Sequence, residues 1–86
     1  MVRILISRSA ERELSRLPRD IQKRFVRAFE ELEKDSKPRP GLDIKPLRGV
    51  KGAWRLRIGS YRGIFELDED EARFTRFGHR SDVYRF

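Results

Sequence analysis

The chain has 86 residues, with 21 Lys or Arg against 14 Asp or Glu, for a formal net charge of +7. Charged residues make up 41% and apolar residues 37%, so we expect one domain spanning residues 1–86, with a small core under a crowded charged surface. The chain has no Cys and one His, which excludes a disulfide framework, a thiolate metal site and a cysteine nucleophile, and argues against a His-based zinc site.

Taken in chain order, Val2, Ile4 and Ile6 alternate with Arg3 and Leu5, the period-two pattern of a strand with one buried face. Ser7 then has the character of a helix N-cap. Ala10, Leu14 and Leu17 fall on one helical face, and Pro18 closes that helix. From Arg19 to about Asp35, Ile21, Phe25, Ala28, Phe29 and Leu32 form a second stripe, which predicts a hairpin of two amphipathic helices. Pro38, Pro40 and Gly41 break the pattern. Lys37 to Lys51 is expected to be a connection anchored through Leu42, Ile44 and Leu47.

Strands follow. Trp54, Leu56 and Ile58 alternate with Arg55 and Arg57, Gly59-Ser60 marks a turn, and Tyr61 to Leu67 forms the next strand. Asp68 to Glu71 reads as a polar hairpin tip, and Ala72 to Gly78 as a last strand in which Phe74 and Phe77 break strict alternation. Ser81 to Phe86 is a short tail. The order β-α-α-β-β-β implies an α+β fold, with the two-helix hairpin packed on one face of a small antiparallel sheet and the other face open.

The charge is unevenly placed. From Lys45 to Arg62 there are six basic residues (Lys45, Arg48, Lys51, Arg55, Arg57, Arg62) and no acid, whereas Glu66 to Glu71 holds five acids in six positions. Of the 21 basic residues 16 are Arg, the side chain whose planar fork grips phosphate or carboxylate. If Trp54, Leu56 and Ile58 face the helices, Arg55 and Arg57 point to the open face, with Arg62 nearby. Like charges so placed are unfavourable unless an anion is expected there. The same pattern also fits a solvated face, or arginines paired with an acid on a neighbouring strand. Histidine is the side-chain type suited to proton transfer at physiological pH, but His79 at a strand end is more often a surface residue than a catalyst. Tyr84 fits either core packing or a platform for a stacked base. No stretch approaches the ~20 apolar residues of a membrane span, and the first residues turn polar too quickly for a secretory signal. The expected setting is cytoplasmic.

Together these residues resemble the RelE/ParE superfamily of bacterial and archaeal toxins, over essentially the whole chain. The resemblance is carried by the Ser7-to-Leu14 helix start, Leu17-Pro18, Pro46-Leu47-Arg48-Gly49, Trp54-Arg55-Leu56-Arg57-Ile58 and Tyr61-Arg62. Its most specific stretch is Gly78-His79-Arg80-Ser81-Asp82-Val83-Tyr84. The resemblance implies a type II toxin that enters the ribosomal A site and cleaves mRNA. In that chemistry the ribose 2′-hydroxyl attacks the adjacent phosphate and the 5′-oxygen leaves, without metal or other cofactor. It implies two basic residues at Arg55 and Arg57, a phosphate-binding arginine at Arg62, a catalytic arginine at Arg80 and an active-site tyrosine at Tyr84. Lys45, Arg48 and Lys51 would add to the RNA-binding charge. It also implies a cognate antitoxin as partner, beside the ribosome and mRNA. The RelE pattern has lysines where this chain has Arg55 and Arg57. A guanidinium is a poor general base, so His79 becomes the substitute acid or base. The alternatives are a ParE-like poison of DNA gyrase that acts by binding, and an inactive member that binds only its antitoxin.

Overall fold

The computed structural model describes residues 2–35 and 41–81. Seven elements follow in order: β1 (Arg3–Ile6), α1 (Arg8–Ser15), α2 (Arg19–Lys34), β2 (Asp43–Pro46), β3 (Ala53–Ile58), β4 (Tyr61–Leu67) and β5 (Glu71–His79). The strands form one five-stranded sheet in the order β1-β5-β4-β3-β2. The architecture is α+β, with two helices on a sheet, as the pattern of the sequence implies. Two details differ. β1 pairs with β5 in parallel, so the sheet is mixed rather than wholly antiparallel. The stretch expected to be only a connection contains β2, which pairs antiparallel with β3.

The parallel pairing follows from the helical crossover. A chain that leaves β1 and crosses one sheet face through two helices returns free of the hairpin constraint that makes neighbours antiparallel. Ser7 makes the first corner. Its amide donates to the Phe74 carbonyl at 3.0 Å, ending the β1–β5 ladder. Its hydroxyl accepts from the Ala10 amide at 3.1 Å, capping α1. The second corner is tied by Gln22, whose amide nitrogen donates to the carbonyls of Ser15 at 3.1 Å and Leu17 at 2.8 Å. These bonds satisfy carbonyls that the end of a helix leaves without intrahelical partners.

The core is aromatic. Phe25 and Phe29 of α2 meet Phe74 and Phe77 of β5, with ring centroids 5.2 Å apart for Phe25–Phe77 and 4.9 Å for Phe29–Phe74. Phe65 of β4 lies 4.8 Å from Phe74. Phe25, Phe65 and Phe74 are fully buried, and each contributes about 2–3 kcal/mol through burial of its ring. The broken alternation of Phe74 and Phe77 has a backbone cause. A bulge shifts the β4–β5 register between Ile64 and Phe65, so Phe65 pairs with Phe74 but Ile64 pairs with Arg76. Thr75 is the extra residue, and it lets both phenylalanines face the helices.

Gly63 is required beneath this cluster. It pairs with Leu56 on one side and Phe77 on the other. A Cβ there would stand 2.8 Å from Phe77 Cε1. β5 also runs past the end of β1, whose pairing stops at Phe74. On that uncovered edge the Phe77 amide donates to Glu13 Oε1 of α1 at 3.0 Å, so a side chain completes the edge where no strand lies.

Candidate nucleic-acid interface

Cross-strand register sorts the sheet into rows. Ile44, Leu56, Gly63 and Phe77 lie in one row facing the helices. The flanking rows face away. One holds Asp43, Arg57, Arg62 and Gly78, and the other Lys45, Arg55, Ile64 and Arg76. Alternation therefore places Arg55, Arg57 and Arg62 together on the open face, as expected, and Lys45, expected in a connection, joins them from β2. Arg76 joins them from β5 and also lies 3.9 Å from Glu13.

The acid-free run from Lys45 to Arg62 is not acid-free in space. Asp43 stands opposite Arg57 in register. Its Oδ1 lies 3.2 Å from Arg55 Nη1 and its Oδ2 lies 3.7 Å from Arg57 Nε. The signal was visible two residues before Lys45, but only the β2–β3 register shows which arginines it meets. Arg55 is the more committed partner, with its side chain 13% exposed against 50% for Arg57. Arg55 thus serves mainly to fix Asp43 and the local sheet surface, whereas Arg57 keeps half its side chain available to an incoming anion.

The β3–β4 turn organises the next residues. Arg62 Nη1 donates to the carbonyls of Gly59 at 3.3 Å and Tyr61 at 3.2 Å. The Arg80 amide donates to the Ser60 carbonyl at 2.9 Å. Arg62 and Arg80, 18 residues apart in sequence, are therefore tied to the same turn. The φ of +59° at Gly59 shapes this turn, a conformation for which glycine is the natural residue. Arg24 of α2 reaches it as well: a Cβ added at Gly59 would lie 3.9 Å from Arg24 Nη1. The sequence reading gave Arg24 no role, because helical spacing marks it only as a solvated position.

His79 falls on the other side of the sheet from Arg62. It pairs with Tyr61, its ring meeting the Tyr61 ring edge-on at 5.7 Å. β5 ends at His79, and Arg80 and Ser81 turn away. The Ser81 amide donates to His79 Nδ1 at 3.2 Å, and the Ser81 hydroxyl lies 2.9 Å from the same nitrogen. In the neutral ring this makes Nδ1 the acceptor and places the proton on Nε2.

Two expected members lie elsewhere. Arg48 and Lys51 occupy the β2–β3 connection, at the opposite end of β3 from the Gly59 turn. The six residues of β3 separate them from Arg62 and Arg80 by roughly 17–20 Å. They do not join the cluster. Tyr84 lies outside the described residues. Among the described residues no group of three or more His, Asp or Glu could hold a metal ion, and no helix is long and apolar enough to cross a membrane.

Residues 4–84 match the family model described as ParE toxin of type II toxin–antitoxin system, parDE. The chain belongs to the RelE/ParE toxin superfamily. Over 86 residues the toxin is 29% identical to Toxin RelE3 of Methanocaldococcus jannaschii, covering 99% of this chain and 98% of that one. It superposes with a TM-score of 0.80 and 30% identity on a structure of the RelB-RelE antitoxin-toxin complex from Methanococcus jannaschii, covering 93% of this chain and 94% of that chain. It also resembles a chain of the Mycobacterium tuberculosis RelBE2 toxin-antitoxin complex, with a TM-score of 0.76 and 25% identity over 92% of this chain and 98% of that one. These relatives set the toxin on the RelE-like side of the superfamily.

Proposed function

We propose that this type II toxin is a ribosome-dependent endoribonuclease that cleaves mRNA in the A site, and that a cognate antitoxin holds it inactive. The observation that carries the reading is the anchoring of Arg62 and Arg80 to one turn beside Arg57. The Arg57 and Arg62 side chains on the open sheet face, with the Arg80 backbone fixed to the same turn, suit a scissile phosphate. They would hold its oxygens and stabilise the negative charge that grows on them as the 2′-hydroxyl attacks and the 5′-oxygen leaves. Donors preorganised in this way often supply the largest single part of the rate, about 10²–10³ for one donor.

Proton transfer is assigned to a group other than Arg55 or Arg57, since a guanidinium keeps its proton at neutral pH. His79 is adjacent to Arg80 beyond the end of β5, and its Nε2 is the nitrogen not engaged by Ser81. Because its ring stands on the opposite side of the sheet from Arg62, His79 is not given this role; we assign Arg80 that of principal electrostatic catalyst and Tyr84 that of orienting the base.

The match to a ParE family model favours one second reading, a gyrase poison that acts by binding alone. Purified toxin added to a translation extract separates the two. The mRNA should be cut and DNA gyrase supercoiling left untouched. Intact mRNA with supercoiling blocked would establish the second reading instead.

A further inference from the structure

Arg80 is the first residue beyond β5, and it is exposed. An arginine so placed ordinarily wanders, because its backbone has left the ladder and its long side chain has many rotamers to occupy. Here the backbone is held on both sides of it. The peptide before Arg80 is fixed by the Arg80 amide, which donates to the Ser60 carbonyl at 2.9 Å. The peptide after it is fixed by the Ser81 amide, which donates to His79 Nδ1 at 3.2 Å. Each peptide unit is a rigid plane, so only φ and ψ of Arg80 lie between the two bonds. Holding both planes sets the direction in which the Arg80 side chain leaves the main chain.

The second of these bonds depends on a side chain. With β5 ended at His79, the Ser81 amide takes its acceptor from the ring two residues back. Asn and Asp side chains make the same bond in an Asx turn; here a ring nitrogen replaces the side-chain oxygen. The His79 ring is itself held. It opposes Tyr61 in the ladder and meets the Tyr61 ring edge-on, with centroids 5.7 Å apart and planes at 87°. The Ser81 hydroxyl lies 2.9 Å from the same Nδ1. Tyr61 also offers its carbonyl to Arg62 Nη1 at 3.2 Å. The stretch from Ser60 to Arg62 thus holds Arg80 twice, once through the Arg80 amide and once through the ring of His79.

We infer that His79 is a positioning residue for Arg80: it passes no proton to the substrate, and its Nδ1 holds the Arg80–Ser81 peptide so that the Arg80 side chain leaves the turn in one direction. The inference rests on the reading of Arg80 as electrostatic catalyst given above. It also gives a role to a histidine whose ring stands across the sheet from Arg62. What matters is then the acceptor atom and not a titrating ring. Asn places Oδ1 near the position of Nδ1 and can accept the same amide, whereas Phe keeps the edge-on ring and offers no acceptor. Loosening Arg80 costs rate more than binding, because charge stabilisation of this kind is felt in the transition state. A misplacement of about 1 Å costs on the order of a hundredfold.

The test compares His79→Phe, His79→Ala and His79→Asn with the parent toxin. In the isolated, isotopically labelled protein, backbone order parameters should fall at Arg80 and Ser81 in the Phe and Ala variants. They should stay near the parent values in His79→Asn, with residues 72–77 unchanged in all three. On translating ribosomes with toxin in excess, the single-turnover cleavage rate should drop about tenfold to a hundredfold in the Phe and Ala variants, at an unchanged half-saturating toxin concentration. His79→Asn should recover to within about threefold of the parent, since it restores the acceptor. Parent-like order at Arg80 and Ser81 in the Phe and Ala variants, or cleavage by them at the parent rate, would overturn the inference. So would His79→Asn as slow as His79→Phe, the result expected of a ring that moves a proton. Failure of the parent toxin to cut mRNA would count against the endoribonuclease reading alone, since the order parameters are read without ribosomes and decide whether His79 holds the Arg80 backbone.

Discussion

Asp43 stands opposite Arg57 across the β2–β3 pair and accepts a hydrogen bond at 3.2 Å from Arg55, two residue pairs further along. One carboxylate therefore conditions the two arginines that alternation sends to the open face. We expect Asp43→Asn to raise the local charge by one without unfolding the protein, since the Asp43 side chain is 41% exposed and asparagine keeps an oxygen that can accept from Arg55. Binding of a short single-stranded RNA should tighten several-fold at low salt. Its log–log salt slope should steepen by at most about 0.7, the value for one added phosphate contact. Unchanged or weakened RNA binding would show that Asp43 supports the arginines rather than restraining them.

Gly63 lies in the helix-facing row between Leu56 and Phe77, next to Arg62 in the chain. Gly63→Ala should destabilise the protein by about 1–3 kcal/mol, because the new methyl meets the Phe77 ring and a packed core yields little. Urea denaturation measures this directly. A variant as stable as the parent would mean that Phe77 moves aside freely, and that the aromatic cluster does not set the spacing of β4 and β5.

Glu13 should prove the most important acid on α1. Its bond to the Phe77 amide closes the stretch of β5 that β1 does not reach. Glu13→Ala should cost roughly 1–3 kcal/mol, the range for losing a hydrogen bond to a charged group. Amide exchange at Phe77 should quicken more than at Phe74. Glu13→Gln keeps a carbonyl acceptor and should recover part of the loss. Equal exchange at both positions in Glu13→Ala would remove this role.

Much of this fold was legible in the sequence. Ser7, the stripe from Ile21 to Leu32, the Gly59-Ser60 turn and the acid block after Glu66 each carry a local signal strong enough to place an element. What escaped depends on contacts between distant segments. β2 was hidden because four residues ending in Pro46 show no clear alternation, and only its partner β3 makes them a strand. The parallel β1–β5 pair is a property of the crossover and leaves no mark on Arg3–Ile6. For the site, alternation placed Arg55, Arg57 and Arg62 on one face. It could not show that Asp43 pairs with two of them, that Arg48 and Lys51 lie at the far end of β3, or that Arg24 joins from α2.

The central claim is that Arg80, held to the Gly59–Tyr61 turn with Arg62, is the electrostatic catalyst of mRNA cleavage on the ribosome. The most direct measurement maps the 3′ ends of a translated mRNA after addition of parent toxin or Arg80→Ala, with and without ribosomes. Parent toxin should generate new ends at positions set by the A site, only when ribosomes are present. Arg80→Ala, with unchanged circular dichroism and urea midpoint, should lose at least about a hundredfold in rate, as for removal of a key oxyanion donor. Cleavage by Arg80→Ala at the parent rate, or no new ends with the parent toxin on translating ribosomes, would contradict the account.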